Sequence, residues 1–80
     1  MKYSNYYDES KKYIKEIILE CTRRDIAIGD LERSVDMSPG YISRCKKGKK
    51  RMSIDAIKVI GNFLGVNFID RVEGRENYDE

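Results

Sequence analysis

The chain has 80 residues, of which 40% are hydrophobic and 38% are charged, with a formal net charge of +2. This size suits one small domain, and no apolar run reaches the roughly 20 residues that a membrane-spanning helix needs. With no histidine, no glycine-rich loop after a strand and no Cys/His cluster, the composition argues against an enzyme. No metal, cofactor or small-molecule ligand is expected.

The first ten residues, MKYSNYYDES, have neither the apolar stretch nor the small-residue cleavage site of a secretory signal. A cytoplasmic location is therefore expected. Cys21 and Cys45 fit this compartment, because each lies among apolar neighbours. They are predicted to be small buried hydrophobic residues rather than a disulfide or a metal pair.

Helical periodicity predicts a first helix over residues 8–23, with Asp8 or Ser10 as its N-cap. A second, short amphipathic helix is predicted over about residues 28–36. No segment shows the alternation of a strand. The apolar residues that carry these two patterns are Tyr13, Ile14, Ile17, Ile18 and Cys21, followed by Ile28, Leu31 and Val35.

The stretch around Pro39 predicts the start of a third helix. Ser38 suits the N-cap, and Pro39 suits the first helical position because proline lacks the N–H that would be left unpaired there. Ile42 and Cys45 are then its inward residues. Gly48 ends the helix, since glycine adopts the left-handed cap conformation without strain.

Two further helices are predicted after this point. Ser53 caps the fourth, which is the most hydrophobic segment and ends at Gly65. Asn67 caps a short fifth helix. The apolar residues of these helices are Ile57, Ile60 and Leu64, then Phe68, Ile69 and Val72.

These elements predict a compact all-α bundle of four to five helices. The domain is expected to span residues 8–72, with an N-terminal tail at 1–7 and an acidic C-terminal tail at 73–80. The second and third helices are separated by a tight turn at residues 36–38, which is a helix-turn-helix arrangement.

The charges are distributed unevenly along the chain. Residues 41–58 carry seven Lys or Arg against one Asp, net +6. Residues 1–40 carry seven cations against eight acids, net −1, and residues 59–80 carry two against five, net −3. A run of cations is most often a solvated face, but it is also the expected footprint of a phosphate-bearing partner.

An ordered pattern of residues runs through the second, third and fourth helices. It consists of Leu31, Val35, Met37, Ser38, Ile42, Ser43, Arg44, Gly48 and Lys49, continued by Ile57, Leu64, Gly65 and Val66. On this pattern, the segment 26–72 resembles the lambda-repressor-like helix-turn-helix domains of the Cro/CI type (XRE family). The spacing carries the resemblance, since no single residue is diagnostic.

Four positions depart from the family pattern. Glu32 stands where a small residue usually packs between helices 2 and 3, so either its carboxylate points to the rim or helix 2 is rotated. Asp36 replaces a turn glycine, a mild change because Asp tolerates the left-handed conformation. Ile28 stands where a glutamine often contacts DNA. Cys45 replaces a larger apolar residue, so Tyr41 or a residue of helix 1 is expected to fill the volume.

The resemblance implies a sequence-specific double-stranded DNA-binding protein whose third helix enters the major groove with its amino end first. Arg44, whose guanidinium suits guanine, and Ser43 would carry direct base reading. Alternatively, Arg44 contacts only phosphate and Tyr41 is a partly buried packing residue. The implied base contacts are Pro39, Gly40, Tyr41, Ser43 and Arg44. The implied phosphate contacts are Ser38, Lys46, Lys47, Lys49, Lys50 and Arg51.

A homodimer is expected. Each domain makes few base contacts, so discrimination between DNA sequences requires two copies bound to a two-fold symmetric site. The predicted dimer surface is formed by Val59, Phe63, Phe68 and Ile69, the alternative being that Phe63 and Phe68 enlarge the core. A small transcriptional repressor is favoured, although activation and antitoxin-type autoregulation would use the same domain.

A function of another class stays open at this point. Pro39, Gly40 and Ile28 remove polar groups from positions that read DNA in the family. The chain is therefore alternatively a protein-interaction module on a helix-turn-helix scaffold, with weak or no DNA binding, because fold alone does not fix function.

Overall fold

The structure, a computed structural model, describes residues 2–78, with side chains for residues 10–74. Over this range the chain forms five helices and no strand, which confirms the predicted all-α fold class. The helices are α1 (Lys2–Arg23), α2 (Ile28–Ser34), α3 (Tyr41–Lys46), α4 (Ile54–Leu64) and α5 (Phe68–Tyr78).

The apolar stripes of the helices meet in one core. α1 packs against α3 and α5, α4 packs against α5, and α2 packs against α3. α3 thus packs against both α1 and α2. These two contacts determine which face of α3 is exposed to solvent. The buried core residues are Tyr13, Ile14, Ile17, Cys21, Leu31, Ile42, Cys45, Met52, Ile57, Ile60, Leu64, Phe68 and Val72.

The first helix is longer than predicted. It begins at Lys2, so Asp8 and Ser10 are helix-interior residues and the prediction that one of them is the N-cap was wrong. The physical reason is that the preceding residues contain no glycine or proline to stop the helix. Ser10 is instead buried, 6% exposed, on the side that faces the rest of the protein.

The segments predicted as tails continue the outer helices. α1 extends through residues 2–7, and α5 extends through residues 73–78, so both segments are helical over their described parts. Met1, Asp79 and Glu80 lie outside the described residues. Between residues 2 and 78, no helix combines the length and the apolarity required to cross a membrane.

The connection from α2 to α3 differs from the predicted one. The Tyr41 N–H donates to the Ser38 carbonyl oxygen at 3.1 Å, and Gly40 has φ 84° and ψ 1°. These angles belong to the third residue of a type II turn, in which proline is favoured at the second position. Pro39 and Gly40 therefore make a β-turn. The prediction that Ser38 is the N-cap and Pro39 the first helical residue was wrong.

The predicted N-caps of α4 and α5 and the predicted glycines at the ends of α3 and α4 are confirmed, whereas α2 ends at Ser34, two residues before the predicted end. The Ser53 hydroxyl accepts the Ala56 N–H at 3.1 Å, and Asn67 Oδ1 accepts the Asp70 N–H at 2.9 Å, so both residues cap as expected. Left-handed residues lie in the turn after α2 and at the helix ends after α3 and α4, at the three predicted positions: Asp36, Gly48 and Gly65.

Gly61 allows α4 and the start of α5 to approach closely. The Val66 N–H donates to the Gly61 carbonyl oxygen at 2.9 Å. A Cβ added at Gly61 would overlap the Val66 carbonyl oxygen and would lie 3.6 Å from the Phe68 ring. A side chain at this position would therefore push the α4 to α5 turn away from the core.

A buried carboxylate joins α1 to α5. Glu20 is 5% exposed and accepts hydrogen bonds from Arg24 Nε at 2.8 Å and Arg71 Nη1 at 3.1 Å, with Arg23 as a further partner. These guanidinium groups, Arg24 first and Arg71 next, lower the pKa of Glu20 from 4.5 to about 2. The carboxylate is thus held ionised.

Candidate nucleic-acid interface

The basic segment, defined as residues 44–51, covers the second half of α3 and most of the connection that leads to α4. It contains six cations and no acid. Buried apolar residues anchor the chain before, within and after it, at Ile42, Cys45 and Met52 respectively. The cationic side chains are all exposed, namely Arg44, Lys46, Lys47, Lys49, Lys50 and Arg51.

Arg44 folds back over the turn that precedes α3. Its Nη2 donates to the Ser38 hydroxyl and its Nη1 donates to the Pro39 carbonyl oxygen, each at 3.3 Å. A Cβ added at Gly40 would lie 3.1 Å from Arg44 Nη1, so glycine leaves room for the guanidinium. Four of the sequence-predicted DNA contacts, Ser38 to Gly40 and Arg44, are therefore brought together at the amino end of α3.

Ser43 lies on the outward face of α3. Its side chain is exposed, as are those of Pro39 and Arg44, whereas Ile42 and Cys45 are 1% and 0% exposed. The inward prediction for Ile42 and Cys45 is confirmed. The exposed side chains of Pro39, Ser43 and Arg44 therefore form the outward side of α3 and its preceding turn, whereas Gly40 and Tyr41 are half-buried.

Tyr41 is placed differently from the other predicted base contacts. It is half-buried and interacts with Cys45 and Ser53; burial, with Cys45 as a further cause, raises the pKa of its hydroxyl. It packs against the core beside Cys45, as in the alternative interpretation that Tyr41 is a partly buried packing residue. Lys50 Nζ lies 5.8 Å from the centre of its ring. Tyr41 thus packs against the core and holds a cation of the basic segment near α3.

Glu32 has a role that neither sequence interpretation anticipated. It is 4% exposed, and its carboxylate accepts the Gly40 N–H at 3.1 Å and the Ile42 N–H at 3.0 Å. It does not point to the rim. The N-cap residue Gly40 provides no side-chain cap. Glu32, which belongs to the preceding helix α2, therefore accepts the hydrogen bonds of amides at the start of α3.

Ser10 performs a similar task at the other end of the basic segment. Its hydroxyl accepts the Met52 N–H at 3.1 Å, in a bond that spans 42 residues of sequence. The sequence did carry a signal for this contact. Ser10 lies three residues before Tyr13 and four before Ile14, on the apolar stripe of α1, where a polar residue needs a buried partner.

The predicted dimer surface is only partly exposed. Val59 and Phe63 on α4 are 43% and 49% exposed. Phe68 is 1% exposed and belongs to the core, so its assignment to a dimer surface was wrong; its ring fills the space beside the side-chain-free Gly61. Ile69 is half-buried and packs against the core.

Both cysteines are free and buried, as predicted. Burial raises the pKa of each thiol, with Glu20 as a further cause at Cys21. Among the described residues there is no group of three or more His, Cys, Asp or Glu side chains able to hold a metal ion.

Comparisons with protein-family models, with curated proteins and with solved structures find no match for this chain.

Proposed function

We propose that this chain is a sequence-specific double-stranded DNA-binding protein of the lambda-repressor-like helix-turn-helix type, a small transcriptional regulator that acts as a homodimer. One observation carries the proposal. The basic segment carries six exposed cations and no acid, and two of them, Arg44 and Lys50, lie against the Pro39–Gly40 turn and the Tyr41 ring at the start of α3. Closely spaced cations neutralise phosphates and release counterions, and this term supplies most of the affinity of DNA-binding proteins.

In this proposal, different residues contact the phosphates and the bases of the DNA. The lysines and Arg51 contact phosphates and set the register, which carries no sequence information by itself. Arg44 and Ser43 face the bases. The Arg44 guanidinium has five N–H donors, of which only two are engaged by Ser38 and Pro39, so donors remain for the O6 and N7 atoms of a guanine.

The homodimer is proposed through α4. Val59 and Phe63 are spaced four residues apart and are both substantially exposed, so they form a small apolar strip on one side of the helix. Two copies would double the number of base contacts on a two-fold site. A cytoplasmic repressor is the form of regulator proposed, in keeping with two cysteines that stay free.

The test is binding to arbitrary duplex DNA at low salt, followed by selection of a preferred site from random duplexes. We expect Arg44→Ala to lose roughly 1 to 3 kcal/mol of discrimination at one base position. Arg44→Lys is the matched control for charge, because it keeps the cation and loses the planar fork. Absence of binding at low salt contradicts the proposal.

The alternative, a protein-interaction module on the same scaffold, is favoured by one observation. The Arg44 side chain is engaged within the protein by Ser38 and Pro39, and Pro39 and Gly40 offer no side-chain hydrogen-bonding groups of their own. This candidate predicts that the wild-type protein binds duplex DNA weakly or not at all at low salt and selects no preferred site from random duplexes, so the same two measurements separate the two functions.

A further inference from the structure

The stretch that carries the predicted DNA contacts is tethered at both ends by buried polar side chains of other helices. At its beginning, Glu32 of α2 accepts the amides of Gly40 and Ile42. At its end, Ser10 of α1 accepts the amide of Met52. Between these points the six cationic side chains of the basic segment are exposed.

The Glu32 contact replaces the local cap that α3 lacks. Gly40 has no side chain, and the Tyr41 N–H is already taken by the Ser38 carbonyl. The carboxylate of Glu32 therefore spans the amides on either side of Tyr41. Hydrogen bonds from amides to a charged acceptor are stronger than neutral ones, and a buried amide left without a partner is costly.

The Ser10 contact holds the backbone in place immediately after the basic segment. Met52 is 3% exposed. Its amide lies between Arg51, the last cation of the basic segment, and Ser53, the N-cap of α4. No local residue provides the acceptor. The hydroxyl comes from α1, the helix on which α3 is also seated.

We infer that Glu32 and Ser10 are positioning residues for DNA binding, Glu32 for the base-reading end of α3 and Ser10 for the phosphate-contacting basic segment. This inference rests on the proposed function. Neither side chain touches DNA, since both are buried. Each acts by holding backbone amides, so that Arg44 at one end and the lysines at the other keep a fixed geometry before DNA arrives.

The two tethers have different expected effects. Loss of the Glu32 carboxylate frees the amides of Gly40 and Ile42 and loosens the turn over which Arg44 lies. Base discrimination therefore falls, while the salt dependence of binding is unchanged. Loss of the Ser10 hydroxyl frees the Met52 amide and lets the backbone of the basic segment move. Affinity for arbitrary duplex therefore falls, and the salt dependence of binding becomes less steep. A role in stability alone would weaken neither property while the protein remains folded.

The experiment compares Glu32→Ala, Glu32→Gln and Ser10→Ala with Val72→Ala. Val72 is a buried core residue of α5, so its variant controls for loss of stability away from the tethers. All measurements are made on the full chain at a temperature where each variant is folded. Amide hydrogen exchange of the free protein is followed by NMR at Gly40, Ile42 and Met52, and binding is measured on a selected duplex and on arbitrary duplex.

The Glu32 variants should act on Gly40 and Ile42 only. We expect both amides to lose protection in Glu32→Ala, and Glu32→Gln to keep part of it, because the side-chain amide retains one acceptor oxygen. Discrimination between selected and arbitrary duplex should fall about tenfold in Glu32→Ala and less in Glu32→Gln. Ser10→Ala should expose the Met52 amide and weaken binding to arbitrary duplex.

The outcomes separate the two proposals. If the wild-type protein binds no duplex, the proposed function is wrong and the positioning role in DNA binding falls with it. If it binds DNA but the tether variants lose no more affinity or discrimination than Val72→Ala, only the positioning inference is overturned. Unchanged exchange at all three amides in the variants also overturns it.

Discussion

Arg71 on α5 reaches Glu20 on α1, with 3.1 Å between Nη1 and Oε1. Arg71 also lies 3.8 Å from Glu16, so it joins two acids of α1. Arg23 and Arg24 complete the ring of cations around Glu20. This cluster connects the last helix of the bundle to the first, against which α3 also packs.

The Glu20 cluster predicts acid sensitivity. The folded-state pKa of Glu20 is lowered to about 2 from 4.5, so its contribution to stability is full above about pH 4.5 and is lost as the pH falls toward 2. We expect Glu20→Gln to have a lower urea midpoint at neutral pH, and to lose less stability than wild type between about pH 5 and pH 3. Equal losses in the two proteins would contradict the assignment.

Gly61 and Gly74 form a matched pair of helix glycines. Alanine at Gly61 would overlap the Val66 carbonyl oxygen, whereas nothing lies within 4 Å of a Cβ at Gly74. We expect Gly61→Ala to lower the free energy of unfolding by about 2 kcal/mol, and Gly74→Ala to raise it by about 0.5 to 1 kcal/mol. Denaturant unfolding measures both. A neutral Gly61→Ala would show that the turn after α4 can shift freely.

Much of the fold follows from local chemistry in the sequence. Ser53 and Asn67 cap the helices that were predicted for them, because a cap needs only a neighbouring amide and the right side chain. The stripe through Ile14 and Ile17 predicts the buried face of α1 for the same reason, since helical spacing alone determines it.

The start of α3 could not be predicted in this way. A Ser-Pro-Gly sequence suits both a capped helix start and a type II turn, and local propensity does not choose between them. In the structure the Pro39–Gly40 turn is formed, and the amides of Gly40 and Ile42 are satisfied by Glu32 from α2. That choice depends on a contact between two helices, which no local pattern reveals.

Phe63 tests the proposed dimer. It is 49% exposed, so Phe63→Glu should remain folded while the charge disrupts an apolar contact between copies. We expect a folded monomer with weaker binding to a selected duplex, measured by sedimentation and circular dichroism. Leu19→Glu is the control, because Leu19 is 51% exposed on α1, outside the proposed surface. A wild-type protein that is already monomeric, or a Phe63→Glu chain that unfolds, contradicts the assignment.

The two cysteines should be unreactive in the native protein. Cys21 and Cys45 are 1% and 0% exposed, and burial raises the pKa of both thiols, so little thiolate is present near neutral pH. We expect an aromatic disulfide reagent to label neither thiol until urea unfolds the chain, when both react. Rapid labelling without denaturant would show that the core opens around α1 or α3.

Binding of DNA phosphates by the basic segment is best measured through the salt dependence of binding to arbitrary duplex. With about four phosphates neutralised per protomer, log K should fall with log salt at a slope of roughly −3.6, which is about a hundredfold loss between roughly 50 and 200 mM. Lys47→Gln with Lys49→Gln should make the slope shallower by about 1.8. The control pair, Lys12→Gln with Lys15→Gln on α1, should leave it unchanged. A wild-type slope near zero, or an equal change in both pairs, would show that the basic segment does not bind DNA phosphates.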